Sequence, residues 1–532
     1  MTTSAAVPGA APTVRPPDWR HPLAGAAAAA GALGLSELLG GLLPGGTSLV
    51  AGVGQVVIDL QPPGAKDLVV GWFGTNDKLA LELFVVAVAV LIGAGLGALA
   101  RRRFELGAAG FVVFGVIGFI AALGDPIASP SMVAVEAAVS VGAGLWVLDW
   151  LPRTTAPRTG ARGGASVGSG PRAEMPDWSR RSFLARAAGV GVVAAIGGIA
   201  GRSLLDRQRF PPAGSAAALP PPAETVPPLA AGTDLSPAIP GLTPIVMPND
   251  RFYKIDTSLL VPGVGTDGWT LRIHGMVDRE TVLTWDELIG LPMFEQYVTI
   301  ACVSNEVGGK LVGNAKWTGV RLRDVLEMAG VQAAATQLVG RSVDGWTAGM
   351  PTAWVMDPAR EPMIAVKMND EPLPPAHGYP ARLIVPGLYG YVSATKWLKE
   401  LELTTLEAFD GYWVPLGWAK EGPILTQSRI DTPRGGQVAA GQVPIAGIAW
   451  APDRGVTRVE VGIDGVWANA RLSTPISDAT WVQWVFDWAA TPGHHAVQVR
   501  ATDGTGQVQT EQATPPAPDG ARGWDGVAFD VS

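Results

Sequence analysis

Four apolar runs dominate the first 150 residues: 23–43, 79–100, 106–123 and 132–151. Each is close to the roughly 20 residues that carry a helix across a bilayer. A fifth run, 185–200, is weaker and built mainly of Ala and Gly. The stretch 49–60 is apolar but too short to span, which predicts a re-entrant or interfacial helix. After residue 201 the pattern changes. Residues 202–236 are rich in Pro and Ala, the composition of an extended spacer with no core of its own. Residues 237–418 mix β-prone runs (269–275 and 298–303) with helical ones (284–288 and 321–329), an α+β pattern. Thr284 followed by Glu287 is a capping box that starts the first of these helices. From 419 to 532, the runs 443–450, 458–463, 481–488 and 494–501 alternate with period two. Turn dipeptides such as Asp464-Gly465, Pro492-Gly493 and Asp503-Gly504 separate them, which predicts an all-β sandwich. The chain thus reads as an α-helical membrane bundle (1–201), a spacer, an α+β domain and a β sandwich.

Composition agrees with the membrane part. Hydrophobic residues make up 48% and charged residues only 16%, too apolar a balance for an ordinary soluble protein. The net charge of −8 offers no basic field for nucleic acid. A single cysteine, Cys302, excludes an intrachain disulfide, a structural zinc finger and a Cys-ligated iron–sulfur cluster.

The charges also orient the spans. Arg15 and Arg20 precede the first, Arg101-Arg102-Arg103 part the second from the third, and arginines crowd between the fourth and fifth. These positions share one side of a five-span path, which the positive-inside rule makes cytoplasmic. Everything after residue 200 then lies outside the cytoplasm. Ser179-Arg180-Arg181-Ser182-Phe183-Leu184 resembles a twin-arginine export signal, which implies the same orientation. Ser215-Ala216-Ala217-Ala218 offers a small-residue site for cleavage. His21 is the sole histidine before His274, so a bis-histidine haem in the spans lacks ligands. Glu37, Glu82 and Glu136 fall within spans. They read first as hydrogen-bonded residues of the bundle interior, and alternatively as a quinone or proton site. His494-His495 reads as a solvated strand edge before a metal site.

The stretch 298–314 gathers the candidate chemistry. A β-prone run leads into Cys302 and then into Ser, Asn and Gly308-Gly309, the grammar of a strand ending in a closely approaching loop. Alone, Cys302 reads as a buried small hydrophobe. Two blocks change that. Cys302-Val303-Ser304-Asn305-Glu306-Val307-Gly308-Gly309 with Trp317-Thr318-Gly319-Val320, and the later His377-Gly378-Tyr379-Pro380-Ala381-Arg382 through Ser393-Ala394-Thr395-Lys396-Trp397, resemble the molybdenum-binding segments of the sulfite oxidase family. The C-terminal strands resemble that family's immunoglobulin-like dimerisation domain.

The resemblance implies a molybdopterin with molybdenum as cofactor and Cys302 as the thiolate ligand to the metal. A soft thiolate suits that metal. It further implies that Arg382 and Lys396 contact the pterin and its phosphate, with His377, Ser393 and Thr395 beside them. Asn249-Asp250-Arg251-Phe252-Tyr253-Lys254 resembles a pterin-contacting Asn-x-Phe-Tyr segment of the methionine-sulfoxide reductase branch. One extra residue leaves Asn249 and Asp250 as alternatives, with Tyr253 and Lys254 following. Asp344 is placed by its spacing from Cys302. Sulfite oxidases carry an arginine just after their Phe-Phe pair, whereas Lys254-Ile255-Asp256 stands here. The expected reaction is therefore oxygen-atom transfer by reduction of a small-molecule or protein S-oxide such as methionine sulfoxide, with oxidation of the oxyanion sulfite as the alternative. Electrons then come from a separate protein partner or a quinone, and the sandwich implies a homodimer. The contrasting class is a non-catalytic membrane-tethered binding protein.

Overall fold

The computed structural model describes residues 19–62, 77–153, 178–209 and 219–532. Arg15, Lys66, Asp67, most of the basic segment after Arg153 and the small-residue segment 215–218 lie outside the described residues. The chain divides into two compact units, one of Met1–Leu60 and Leu68–Gln208, the other of Gln61–Asp67 and Arg209–Ser532.

The first unit is helical: α1 (Arg20–Leu42), α2 (Leu49–Asp59), α3 (Asp77–Ala100), α4 (Phe104–Ala122), α5 (Pro130–Arg153) and α6 (Trp178–Arg209). All but α2 are long and apolar enough to cross a membrane, by length and composition. The twin-arginine pair falls in the first turns of α6. Small residues let α1 touch its neighbours backbone to backbone. A Cβ on Gly25 would lie 2.1 Å from the Gly93 carbonyl oxygen of α3, and one on Gly34 would lie 2.3 Å from that of Ala194 on α6. Outward positions such as Phe84, Leu91, Val193 and Ile196 stay exposed and apolar. The three carboxylates all have partners. Glu37 accepts from Ser48 Oγ at 2.7 Å, Glu82 pairs with Arg202 at 3.2 Å, and the Thr47 amide lies 3.5 Å from one oxygen of Glu136.

The second unit opens with segment 219–247, which does not stand free. The Ala223 amide donates to Met293 O, Arg321 pairs with Glu224 at 2.7 Å, and Leu235, Ile239 and Leu242 pack on Ala446 and Val485. Residues 202–209 meanwhile extend α6. The Pro-rich composition misled because prolines are equally at home in an extended strip held by a neighbouring surface.

Two sheets follow, the first mixed and the second antiparallel. The first runs β2 (Thr281–Thr284), β1 (Thr270–Gly275), β10 (Leu398–Thr404), β5 (Gln337–Ser342), β6 (Thr347–Pro351). The second runs β3 (Met293–Ala301), β4 (Val312–Arg321), β7 (Met363–Met368), β8 (Glu371–Pro372), with β9 (Arg382–Ile384) also on β7. Helix α7 (Trp285–Ile289) begins at Thr284, whose side chain and Glu287 complete the capping box. Helix α8 (Leu322–Ala329) lays Leu322, Val325 and Leu326 into the core shared by both sheets.

The C-terminal strands form two further sheets. One is β11 (Gln427–Thr432), β13 (Gly441–Trp450), β17 (Val482–Ala490), β16 (Arg471–Leu472). The other is β12 (Gly436–Val438), β19 (Asp525–Val531), β18 (Gly493–Asp503), β14 (Val456–Ile463), β15 (Val466–Asn469). Ile445, Val461, Trp484, Val499 and Phe529 pack into one core between them. At the start of β18, His494 and His495 each face a carboxylate, Asp530 at 2.8 Å and Asp464 at 2.7 Å. No group of metal-ligating residues forms among the described residues.

Strand β3 ties these parts together. The Thr299 amide donates to Ala479 O at 2.9 Å, its hydroxyl accepts from the Trp481 amide at 2.8 Å, and the Trp481 indole donates to Ile245 O at 2.8 Å. The strand that ends at the cysteine is thereby clamped by the C-terminal sheets.

Candidate active site

Cys302 is the first residue after β3, and a small hydrogen-bonded loop fixes it. Its amide donates to Leu311 O at 2.9 Å, its carbonyl accepts from the Asn305 amide at 3.1 Å, and Asn305 Oδ1 accepts from the Leu311 amide at 2.7 Å. The glycines of this loop answer to tight packing. Gly308 has φ +71°, and a Cβ there would lie 2.4 Å from Asp525 Oδ1, while one on Gly309 would lie 2.6 Å from Asn305 Oδ1. What the loop approaches so closely is therefore the C-terminal β unit and its own asparagine. Arg429 seals the junction, donating to Gly309 O at 2.7 Å and to Thr243 Oγ1 at 2.9 Å.

The thiol is 7% exposed and opens onto a cleft enclosing about 870 Å³, its open mouth included. Tyr253, Lys254, Asp344, His377, Arg382 and Lys396 line the same cleft. Arg382 enters at the start of β9, lies 5.1 Å above the Trp317 ring and donates through one terminal nitrogen to His377 O at 3.0 Å. Burial pushes its pKa down to about 10, so it remains a cation at neutral pH. His377 ends a short 3₁₀ turn, with Nε2 3.0 Å from the Asn249 carbonyl oxygen. Burial first, and the charge of Arg382 second, push His377 down to about 3. It is thus neutral, and because a carbonyl only accepts, the proton resides on Nε2 and Nδ1 is left as an acceptor. Lys396 reaches Asp256 at 2.6 Å and Ala376 O at 3.2 Å. Gly378 (φ +111°) permits this crowding, since a Cβ there would come within 3.1 Å of both Arg382 and Lys396. Asp344 accepts from the Trp346 amide at 3.2 Å, and burial raises its pKa. Burial likewise holds the Tyr253 hydroxyl well above its ordinary range, keeping it protonated.

Three expected site residues are placed elsewhere. Asn249 spends its side chain on Met368 O, Glu371 and Asn369, and only its carbonyl serves the site, through His377. Ser393, in the short helix Gly390–Ser393, donates back to Leu388 O and Tyr389 O. Thr395 points at Gly340 of β5, where an added Cβ would lie 2.4 Å from its hydroxyl. Sequence reasoning passed over Asp256, Trp346, Tyr391, Trp413 and Trp418, all of which line the cleft. Asp256 was visible only as part of the departure after Tyr253. The aromatic residues carry no local motif and are assembled by distant loops.

The donor set fits the implied cofactor. Arg382 Nε and Asn305 Nδ2 are buried donors without a hydrogen-bond partner among the described residues, a costly arrangement unless a bound group supplies acceptors. Beside them lie a cation, a neutral imidazole with a free acceptor, and one thiol. That combination suits a phosphate-bearing, hydrogen-bonding ring system that brings its own metal.

Comparison with known proteins agrees. Residues 258–413 match the oxidoreductase molybdopterin binding domain. Mitochondrial sulfite oxidase of Homo sapiens is 30% identical over 321 residues, covering 51% of this chain and 58% of that one. Nitrate reductase [NADH] 1 of Oryza sativa subsp. japonica is 29% identical over 323 residues, covering 47% of this chain and 34% of the other. The uncharacterized oxidoreductase YuiH of Bacillus subtilis (strain 168) is 34% identical over 162 residues, covering 30% of this chain and 78% of YuiH. The chain spans about half the length of the sulfite oxidases it matches. With the thiol, the cationic cleft and these similarities together, the protein is an enzyme that uses molybdopterin with molybdenum, and it belongs to the sulfite oxidase family of molybdopterin oxidoreductases.

Proposed function

We propose that this is a membrane-anchored, multi-pass oxidoreductase whose catalytic unit lies outside the cytoplasm and reduces an S-oxide such as methionine sulfoxide. The observation that carries the choice of substrate is the composition of the cleft. Of its cations Lys254, Arg382 and Lys396, the last is paired with Asp256 and Arg382 donates to His377 O, and Tyr391, Trp346, Trp413 and Trp418 supply aromatic lining. A sulfoxide is neutral, carries one strong acceptor oxygen and leaves a thioether, which packs well on aromatic rings. An oxyanion would want cations left over once Lys396 is paired with Asp256 and Arg382 and Lys254 hold the pterin and its phosphate. Cys302 would ligate the metal, with Arg382, His377, Lys396, Asp344, Tyr253 and Lys254 holding the pterin and its phosphate. Asn249 would act through His377, and Ser393 and Thr395 through packing under the site. The bound cofactor supplies the two-electron redox chemistry. The protein contributes a closed thiolate loop, a neutral His377 and a protonated Tyr253 facing the reaction space.

The reaction takes two electrons and two protons to convert a sulfoxide into a thioether and water. The electrons would come from a separate partner or a quinone. Anchoring is supported by the five long apolar helices and by the arginine distribution, and the twin-arginine motif fits export of a folded, cofactor-bearing unit. The two C-terminal sheets would be the family's immunoglobulin-like dimerisation domain, making a homodimer. Sulfite oxidation is the second reading, favoured by the 30% identity to a sulfite oxidase. Purified holoenzyme, assayed with a reduced viologen and methionine sulfoxide and separately with sulfite and ferricyanide, decides between them. S-oxide turnover without sulfite turnover is expected, and the reverse would overturn the proposal.

A further inference from the structure

The helical unit holds a buried carboxyl that the redox chemistry does not use. Glu136 on α5 is fully buried, and its Oε1 has no hydrogen-bond partner among the described residues. Its other oxygen meets only the Thr47 amide, at a long 3.5 Å. One turn on, Ser140 is 3% exposed and its hydroxyl is also without a partner among the described residues. Both belong to the inward stripe of α5, together with Val133, Ala137, Gly144 and Val147. Gly144 fixes where that stripe points, since a Cβ there would touch Ala32 and Ala28 O of α1 and the Phe111 ring of α4. Two polar atoms unpartnered among the described residues, Glu136 Oε1 and Ser140 Oγ, thus share an apolar seam between helices. Above Glu136 the seam ends in polar groups. Ser48 caps α2 and donates to Glu37, and Thr47 donates through its hydroxyl to Asp125.

An ionised carboxylate oxygen with no donor in such a seam is very costly, whereas a carboxylic acid is neutral and supplies its own donor. We infer that Glu136 is a proton-binding site of the helical unit, with Ser140 as its continuation along the seam and the Thr47–Ser48 end as its polar entrance. The charged groups nearest this end are Glu37, Asp125 and the Glu82–Arg202 pair. The proposal is independent of substrate identity.

A lipid-soluble carbodiimide reads it directly. The acid O–H adds across one C=N bond, with the proton passing to nitrogen, and the adduct rearranges to a stable N-acylurea with no atom lost. The probe is dicyclohexylcarbodiimide, applied to the full chain in native membranes and followed by peptide mass spectrometry. Modification of Glu136 is expected, with Glu82 and Asp125 unmodified. Glu136→Gln should abolish the adduct, and Glu37→Gln should leave it in place. A second readout is the infrared carbonyl band of a protonated carboxyl, expected in the parent and absent in Glu136→Gln. A parent chain with neither adduct nor band at Glu136 overturns the inference, as does an adduct on Glu37 or Asp125 alone.

Discussion

At the scale of single residues, the site rests on groups whose charge states are set by burial. His377 shows the consequence. Its ordinary value of 6.5 falls to about 3 in the folded protein, through burial and then the neighbouring Arg382. The sign follows from linkage: the unfolded chain binds a proton that the folded chain refuses. The stability is complete above pH 6.5 and drains away as pH falls from 6.5 toward 3. Between pH 6.5 and 5 the loss amounts to about 2 kcal/mol. Cofactor-free protein is therefore expected to show a Tm that drops on acidification from pH 7 to 5, and His377→Gln should flatten that drop. Equal slopes in thermal melts of the two would contradict it. Cys302 itself was legible in the sequence, because a lone thiol at a strand end followed by the family's blocks is a strong pattern. Ser393 and Thr395 show the limit of that pattern. Their hydroxyls turn into backbone and packing, a matter of side-chain direction that sequence order does not encode.

At the scale of elements, hydrophobic periodicity located the helices of five or more residues but only six of the nineteen strands among the described residues, and boundaries were a further weak point. The run at 298–303 is the end of a longer strand, Met293–Ala301, that stops one residue before the cysteine. The helix expected at 185–200 runs from Trp178 to Arg209, because polar flanks continue a helix as readily as apolar residues. Pairing between elements was not legible. The parallel contact of β1 with β10 joins residues some 130 positions apart, and no local signal announces it. Asp503, at the end of β18, is a comparable long-range device. Burial pushes its carboxyl up, but hydrogen bonds from Thr505, Thr426 and Arg454 outweigh this and bring it down to about 2, from an ordinary 3.8. Its contribution, about 2 kcal/mol, is complete above pH 3.8 and lost as pH falls through 3.8 to 2. Asp503→Asn should cost roughly that much in denaturant unfolding at pH 7, with the gap closing as pH falls toward 2. A gap that persists unchanged at low pH would assign the effect to shape alone.

At the scale of the whole molecule, the proposed topology has five apolar helices spanning the membrane and the catalytic unit outside the cytoplasm. Because Cys302 is the only cysteine, topology can be tested with single cysteines placed in a Cys302→Ser background. A cysteine at Arg102 should stay unlabelled by a membrane-impermeant maleimide in intact cells, while one at Ser532 should label. The opposite pattern would invert the assigned orientation. The central claim, however, is that Cys302 ligates molybdenum in a bound pterin. Metal and pterin analysis of the full chain, purified from cells competent in molybdopterin synthesis, tests it most directly. The prediction is about one molybdenum and one pterin per chain, with molybdenum falling steeply in a folded Cys302→Ser variant. A metal-free parent, or a Cys302→Ser variant that holds as much molybdenum as the parent, would contradict it.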